Sequence, residues 1–286
     1  MDLIREAAAC GVRTAGWRGA GEHVGLVPTM GAMHGGHVSL LRKAREENDR
    51  VLVTIFVNPK QFVAGEDPTR YPRQEAGDLA TCELEGIDAV WAPPVEEVYP
   101  PGVELPEPPA GPIGDAFEGL ARPGHLHGVL EVVHRLFDVA GPCRAYFGQK
   151  DAQQLFLVRR MVAGEPELGV EVVGCPTVRE PDGLAMSSRN ASLSGEERQQ
   201  AGCLFLALGE AAGAARAGER GTGVLVALMV REIGATPLAA LDYAAVVDEG
   251  TFEPVATLER PARALVAARF PSARLIDNLL LPVGAG

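Results

Sequence analysis

Apolar residues in the first 180 positions alternate between short β-branched runs and longer stretches of helical spacing. Residues 24–28 and 51–57 (VLVTIFV) read as buried strands, and 88–92 (DAVWA) reads as a third. Between them, VSLLRKAREEN at 38–48 sets Leu40, Leu41 and Ala44 on one face with charges opposite. QEAGDLATCELEG at 74–86 repeats the pattern with Leu79, Cys82 and Leu84. Strands alternating with helices of this length predict right-handed crossovers and a parallel sheet covered on both faces, with ligands at the strand C-termini.

The run at 93–112, PPVEEVYPPGVELPEPPAGP, loses backbone donors at each proline and predicts an extended surface excursion. Helical spacing returns at 127–140, strand spacing at 144–147, a helix at 151–162 and a strand at 170–175. The pattern then changes. A loop (REPDGLAMSSRN) leads to an Ala-rich helix opened by Ser194 with Glu197 three positions on, and short strands follow near 241–247, 263–270 and 273–276. The Ala/Gly/Arg stretch at 209–223 reads as an exposed helix. The expected fold is α/β: a Rossmann-like doubly wound parallel sheet over 1–177, then a smaller α+β C-terminal domain over 178–286.

Composition narrows the function. With 286 residues, 47% of them hydrophobic, the chain can bury a substantial core. Its 26 Lys+Arg against 38 Asp+Glu leave a net charge of −12, a field that repels a nucleic-acid backbone. Cys10, Cys82, Cys143, Cys175 and Cys203 form no CxxC pair and read as reduced core residues. The charged N-terminus is unlike a secretory signal, and no run approaches membrane-spanning length, so a cytoplasmic protein without a membrane partner is expected.

Four segments carry candidate chemistry. PTMGAMHGGH at 28–37 lies where the first strand ends and its helix begins, with glycines that let a phosphate approach the backbone and a helix N-terminus that favours an anion. His34 and His37 share one side of the first turn, and each can donate to phosphate oxygens; two capping or metal-binding histidines are the plainer alternative. A Walker loop and GxGxxG are both absent. FVNPKQF, after the next strand, offers Asn58 and Gln61 as readers of hydroxyl and carboxylate oxygens, or simply as turn residues. In GQKDAQQ, Lys150 suits phosphate, Asp151 suits a helix cap or a ribose, and Gln154 lies one turn on. Met186-Ser187-Ser188-Arg189-Asn190 suits a loop that neutralises a departing pyrophosphate, or an ordinary turn. RPGHLHGV adds Arg122, His125 and His127; zinc on the histidines is the weaker reading, because no Cys or clustered carboxylates accompany them.

Together PTMGAMHGGH, FVNPKQF, YPR at 71–73, RPGHLHGV, YFGQKDAQQL, PTVREPDGLAMSSRN and RLIDN at 274–278 resemble the pantoate–β-alanine ligases, in order and nearly in spacing, from residue 24 to 278. These belong to the HxGH nucleotidyltransferase group. The resemblance implies ATP-dependent joining of (R)-pantoate to β-alanine through a pantoyl adenylate, with release of pyrophosphate and AMP. It implies that Met30, Gly31, Ala32, Met33, His34, Gly35, Gly36 and His37 contact ATP, with His37 as proton donor. Lys150 and Arg189 would stabilise the phosphorus, Met186, Ser187 and Ser188 would line the phosphates, Gly148, Gln149 and Asp151 would hold the ribose side, and the Val178 backbone the adenine. Gln61 and Gln154 would orient pantoate with Asn58 beside them. The MSSRN segment would be a mobile loop, the C-terminal domain a lid and the protein a homodimer.

Magnesium is expected with ATP. The family's paired acidic residues would fall at Gly77 and Asp78, so only Asp78 remains as a metal ligand. Met33, Leu126 and Glu131 replace the usual Leu, Phe and Thr. The alternative is a simple HxGH enzyme that moves a nucleotidyl group onto a phosphate acceptor; it leaves Gln61 and Gln154 without a purpose. A non-catalytic nucleotide-binding protein would have shed Lys150, Arg189 or a histidine, and all are present.

Overall fold

The computed structural model describes residues 1–63 and 66–282. The chain divides into two compact units, Met1–Gln149 with Gln153–Pro176, and Lys150–Ala152 with Thr177–Gly286. In the first unit, β1 (Asp2–Ile4), α1 (Ala7–Gly19), β2 (Val24–Thr29), α2 (Gly35–Glu47), β3 (Arg50–Ile55), α3 (Glu75–Leu84) and β4 (Ala89–Trp91) come first. Three short helices follow, α4 (Val95–Val98), α5 (Gly111–Gly114) and α6 (Glu118–Ala121), then α7 (His125–Ala140), β5 (Cys143–Gly148), α8 (Ala152–Gly164) and β6 (Val170–Cys175).

The sheet runs β1-β4-β3-β2-β5-β6 and every pairing is parallel. Side chains of a strand alternate between faces, and both faces here are buried. Leu26 and Leu52 join α1, α7 and α8 in one core, with Trp17, Leu130, Phe137 and Val158. Val27, Val51, Val53 and Val90 meet Leu40, Leu41 and Ala44 of α2 and Cys82 of α3 on the other. The order reverses between β2 and β5, so the segments after Thr29 and Gly148 leave neighbouring strand ends, where such sheets hold ligands.

The doubly wound expectation holds, with local differences. β1 and α1 were not read from the sequence. The Pro-rich run is anchored: Val98 and Ala110 are fully buried, because two short helical turns tuck apolar residues under α7. Leu84, expected on the buried face of α3, is 87% exposed, since it ends the helix; Asp78 takes a buried position instead.

In the second unit, α9 (Gly195–Gln200), α10 (Cys203–Arg216) and α11 (Thr222–Gly234) precede an antiparallel sheet, β7 (Ala240–Asp248), β8 (Ala262–Arg269) and β9 (Arg274–Leu281), in the order β7-β8-β9. The capping box at Ser194 and Glu197 is present as the sequence predicts. The helix expected to be exposed at 209–223 ends at Arg216 and buries Ala211, Ala212 and Ala215, whose small side chains let α10 sit close to its neighbours. All five cysteines are unpaired and buried, and burial pushes the thiols of Cys10, Cys82 and Cys143 up to about 12, far from thiolate chemistry. Among the described residues no helix is long and apolar enough to cross a membrane.

Candidate active site

The segment after β2 is held in an uncommon backbone shape. Gly31 and Ala32 are both left-handed, at φ 81° and 51°, and such a conformation costs a non-glycine residue about 1 kcal/mol or more. Two neighbours hold it there. The Thr29 hydroxyl donates to the Thr54 carbonyl at 2.7 Å and accepts from the Gly31 N–H at 3.1 Å. Asp78, 3% exposed on α3, accepts the Ala32 N–H at 2.9 Å on Oδ2 and the Met33 N–H at 2.8 Å on Oδ1.

This shape delivers the chain to α2 with both histidines interlocked. His34 is the N-cap, its Nδ1 accepting the Gly36 N–H at 3.1 Å, while His37 Nδ1 accepts the His34 N–H at 3.3 Å. The ring centroids are 4.2 Å apart. A neutral imidazole that accepts at Nδ1 carries its hydrogen on Nε2, so the cap fixes the same tautomer in both rings. Capping and phosphate chemistry, the two readings of HGGH, are therefore compatible: each ring caps through one nitrogen and can donate through the other. The positive end of a 13-residue helix lies alongside.

After β3, Asn58 caps a 3₁₀ turn at Pro59–Gln61. Its amide is saturated. Nδ2 donates to Gln61 Oε1 at 3.2 Å and the Gly128 carbonyl at 3.0 Å, and Oδ1 accepts from the Lys60 N–H at 3.1 Å and the Tyr99 hydroxyl at 2.8 Å. Asn58 is 1% exposed, and through these four bonds it holds Gln61 and the turn in place. Gln61 itself donates to the Met30 sulfur at 2.8 Å, tying this turn to the first loop. Its carbonyl faces His125 Nδ1 at 2.7 Å.

The turn is closed by residues that periodicity did not single out. Tyr99, whose phenol burial pushes well above its ordinary range, stays a donor to Asn58, and Lys60 lies over its ring at 4.5 Å while pairing with Glu131. Arg122 forks onto Glu66 at 2.9 and 2.7 Å. Gly128 brings α7 so close that a methyl group there would lie 2.2 Å from the Lys60 carbonyl oxygen. RPGHLHGV was the available signal for Arg122, His125 and Gly128; nothing in the sequence pointed to Tyr99.

Elsewhere in the first unit, Gly148 ends β5, Gln149 donates to the Gly174 carbonyl at 3.4 Å, and Gln154 is half-buried on α8. Gln153 is spent on the Ile113 and Ala116 carbonyls. In the second unit, Lys150 is mostly buried, with its ammonium 3.7 Å from Asp151. The Val178 carbonyl accepts the Met186 N–H at 2.9 Å, Ser187 caps the turn Ser188–Ser192 by accepting the Arg189 N–H at 3.2 Å, and the Arg189 side chain is exposed.

A protein-held metal does not fit Asp78 in this arrangement. Each of its oxygens already faces a backbone N–H, Gly77 offers no side chain, and among the described residues no three His, Cys, Asp or Glu side chains gather as a metal site would require.

The chain matches the family Pantoate-beta-alanine ligase over residues 2–280. It is 53% identical over 273 residues to the pantothenate synthetase of Rubrobacter xylanophilus, covering 93% of this chain and 94% of that one. Its fold superposes on the crystal structure of pantothenate synthetase from Thermus thermophilus with TM-score 0.92 and 44% identity, covering 99% of this chain and 100% of the other. It also superposes on the pantoate-beta-alanine ligase from Francisella tularensis complexed with beta-gamma ATP and beta-alanine, with TM-score 0.79 and 31% identity, over 98% and 97% of the two chains. The left-handed loop, the interlocked histidines and the NPKQF turn thus stand in a chain that, matched almost end to end, belongs to the pantoate–β-alanine ligase family.

Proposed function

We propose that the chain condenses (R)-pantoate with β-alanine at the expense of ATP, forming pantothenate, AMP and pyrophosphate through a pantoyl adenylate. The observation that carries this reading is the chain-long family match, met by a loop whose two imidazoles are locked in one tautomer at a helix N-terminus.

A carboxylate is a poor electrophile, and adenylation gives it AMP as a leaving group. One pantoate oxygen attacks the α-phosphorus, and the bond to pyrophosphate breaks. The β-alanine amine then attacks the acyl carbon, loses a proton and expels AMP. Negative charge gathers on phosphate oxygens in the first step, so positioning and charge neutralisation do most of the work. His37 donates a hydrogen bond from Nε2 to a phosphate oxygen, with His34 beside it. Lys150 and Arg189 supply cations, Ser187 and Ser188 supply hydroxyls, and Gln61 and Gln154 align pantoate. Magnesium arrives as part of the MgATP substrate, with Asp78 shaping the loop that receives the nucleotide.

The test is pyrophosphate and AMP release from ATP, Mg²⁺ and (R)-pantoate, with and without β-alanine, read by mass spectrometry. Pantothenate formed only when all are present supports the ligase. AMP transfer to a phosphate acceptor would replace this reading with the simpler nucleotidyltransferase.

A further inference from the structure

The segment RLIDN, at 274–278, opens β9. Within β9, Asp277 and Asn278 are each 4% exposed, and being adjacent on a strand they point to opposite faces. Each holds a different part of the second unit's phosphate machinery.

Asn278 Nδ2 donates to the Lys150 carbonyl at 2.8 Å. Its orientation is imposed. Arg263, buried and held by Glu249 at 2.8 and 2.7 Å, donates to Asn278 Oδ1 at 2.6 Å, and a guanidinium can only donate. The amide oxygen must therefore face Arg263 and the NH₂ must face Lys150. Lys150 lies in a 3₁₀ turn of three residues, Gln149–Asp151, so its carbonyl is a principal handle on where its side chain starts.

On the other face, Asp277 accepts a bidentate fork from Arg179 at 2.6 and 2.9 Å. Arg179 also donates to the Gly183 carbonyl at 2.9 Å and lies 4.3 Å over the Phe205 ring. It thereby fixes a small hairpin in which Arg179 pairs with Ala185 and the Met186 N–H bonds to Val178. Asn190 ties the following turn back to the Ala185 carbonyl at 3.1 Å, which sets Ser187, Ser188 and Arg189 on a pinned base.

We infer that Asn278 is a positioning residue for adenylation: it sets the Lys150 backbone, on the same strand whose Asp277 pins the base of the Ser187–Arg189 turn through Arg179. The inference rests on the role given to Lys150 above. A double-mutant cycle of Asn278 with Lys150 tests it. Asn278→Ala removes the hydrogen bond to the Lys150 carbonyl together with the one from Arg263, which should slow single-turnover pyrophosphate release roughly tenfold. β-Alanine attack on supplied pantoyl adenylate should stay at the wild-type rate. In the Lys150→Ala background the same substitution should slow adenylation no further, because its effect passes through Lys150.

Equal slowing in both backgrounds would reduce Asn278 to a general structural residue and overturn the inference. A wild-type rate for Asn278→Ala would do the same, with Lys150→Ala alone still testing the underlying reading. Asn278→Asp guards against misfolding: it keeps Oδ1 for Arg263 while turning the donor toward Lys150 into an acceptor. A folded, slow Asn278→Asp supports the inference, and a folded, fast one refutes it.

Discussion

Asp78 offers the sharpest test of how the first loop is built. Asp78→Ala deletes a carboxylate that accepts two backbone N–H groups at 2.9 and 2.8 Å. Hydrogen bonds to a charged group contribute about 1.5–3 kcal/mol each, and relaxation of the loop toward water recovers part of the loss. A net cost of about 3 kcal/mol follows. That exceeds the 1–2 kcal/mol or so that the left-handed Ala32 costs, so the loop should abandon its shape rather than keep it unsupported. For a chain of this size the melting temperature should fall by roughly 6–12 °C. Thermal melts in magnesium-free buffer, followed by ATP titrations of adenylation at several Mg²⁺ concentrations, read both effects. The expected result is a lower melting temperature, a raised KM for ATP and an unchanged Mg²⁺ requirement. An unaltered melting temperature with a steeply raised Mg²⁺ requirement would make Asp78 a metal ligand and refute the clamp.

Other outcomes follow from the same geometry. Gly128→Ala forces a methyl group against the Lys60 carbonyl, a backbone group that cannot swing aside, and should cost about 3 kcal/mol in urea unfolding while raising the KM for pantoate. Glu197 has its carboxyl drawn down to about 2, chiefly by the Ser194 N–H with further help from Ser272. A lowered folded pKa means stability that is fully present above the unfolded value of about 4.3 and lost as pH falls through the folded one. Glu197→Gln should therefore flatten the acid limb of a pH-stability curve between about 4 and 2, and an unchanged limb would remove Glu197 from it. His37→Ala should slow adenylation with the melt preserved to within a few degrees, since a second nitrogen partner, His34, still caps α2; wild-type single-turnover rates would take His37 out of the mechanism. Gln61→Ala should chiefly weaken pantoate, seen as KM rather than kcat.

Strong periodicity made the central sheet legible: β2 and β3 are runs of apolar residues buried from both sides, and such runs leave few other readings. The same logic missed β1, three residues long, and α1, whose three glycines and Thr14 weaken the helical signal. It also misplaced Val98 and Ala110, because proline-rich text describes backbone donors and says nothing of what lies beneath a turn. At the site, HGGH and NPKQF stood out by residue type, yet their supports did not. Tyr99 lies 41 positions from Asn58, and Asp78 lies 46 from Ala32; only the folded chain brings such pairs together. Asn58 shows the converse: its residue type drew notice at a strand end, while its four partners, which tie the turn together, are visible only in the fold.

Position 31 is constrained by its surroundings as well as by its own backbone. Its left-handed backbone alone would tolerate an asparagine, but a β-carbon there would lie 2.7 Å from an Asp78 oxygen. Any lineage that exchanged this glycine had first to shorten or move the carboxylate, and a lineage that lost the carboxylate would be released to explore residue 31. The tighter of the two contacts around a β-carbon at 31, ahead of Ile55 at 3.1 Å, thus couples the two positions, and substitutions at 31 and 78 should be found travelling together, with the acid leaving first.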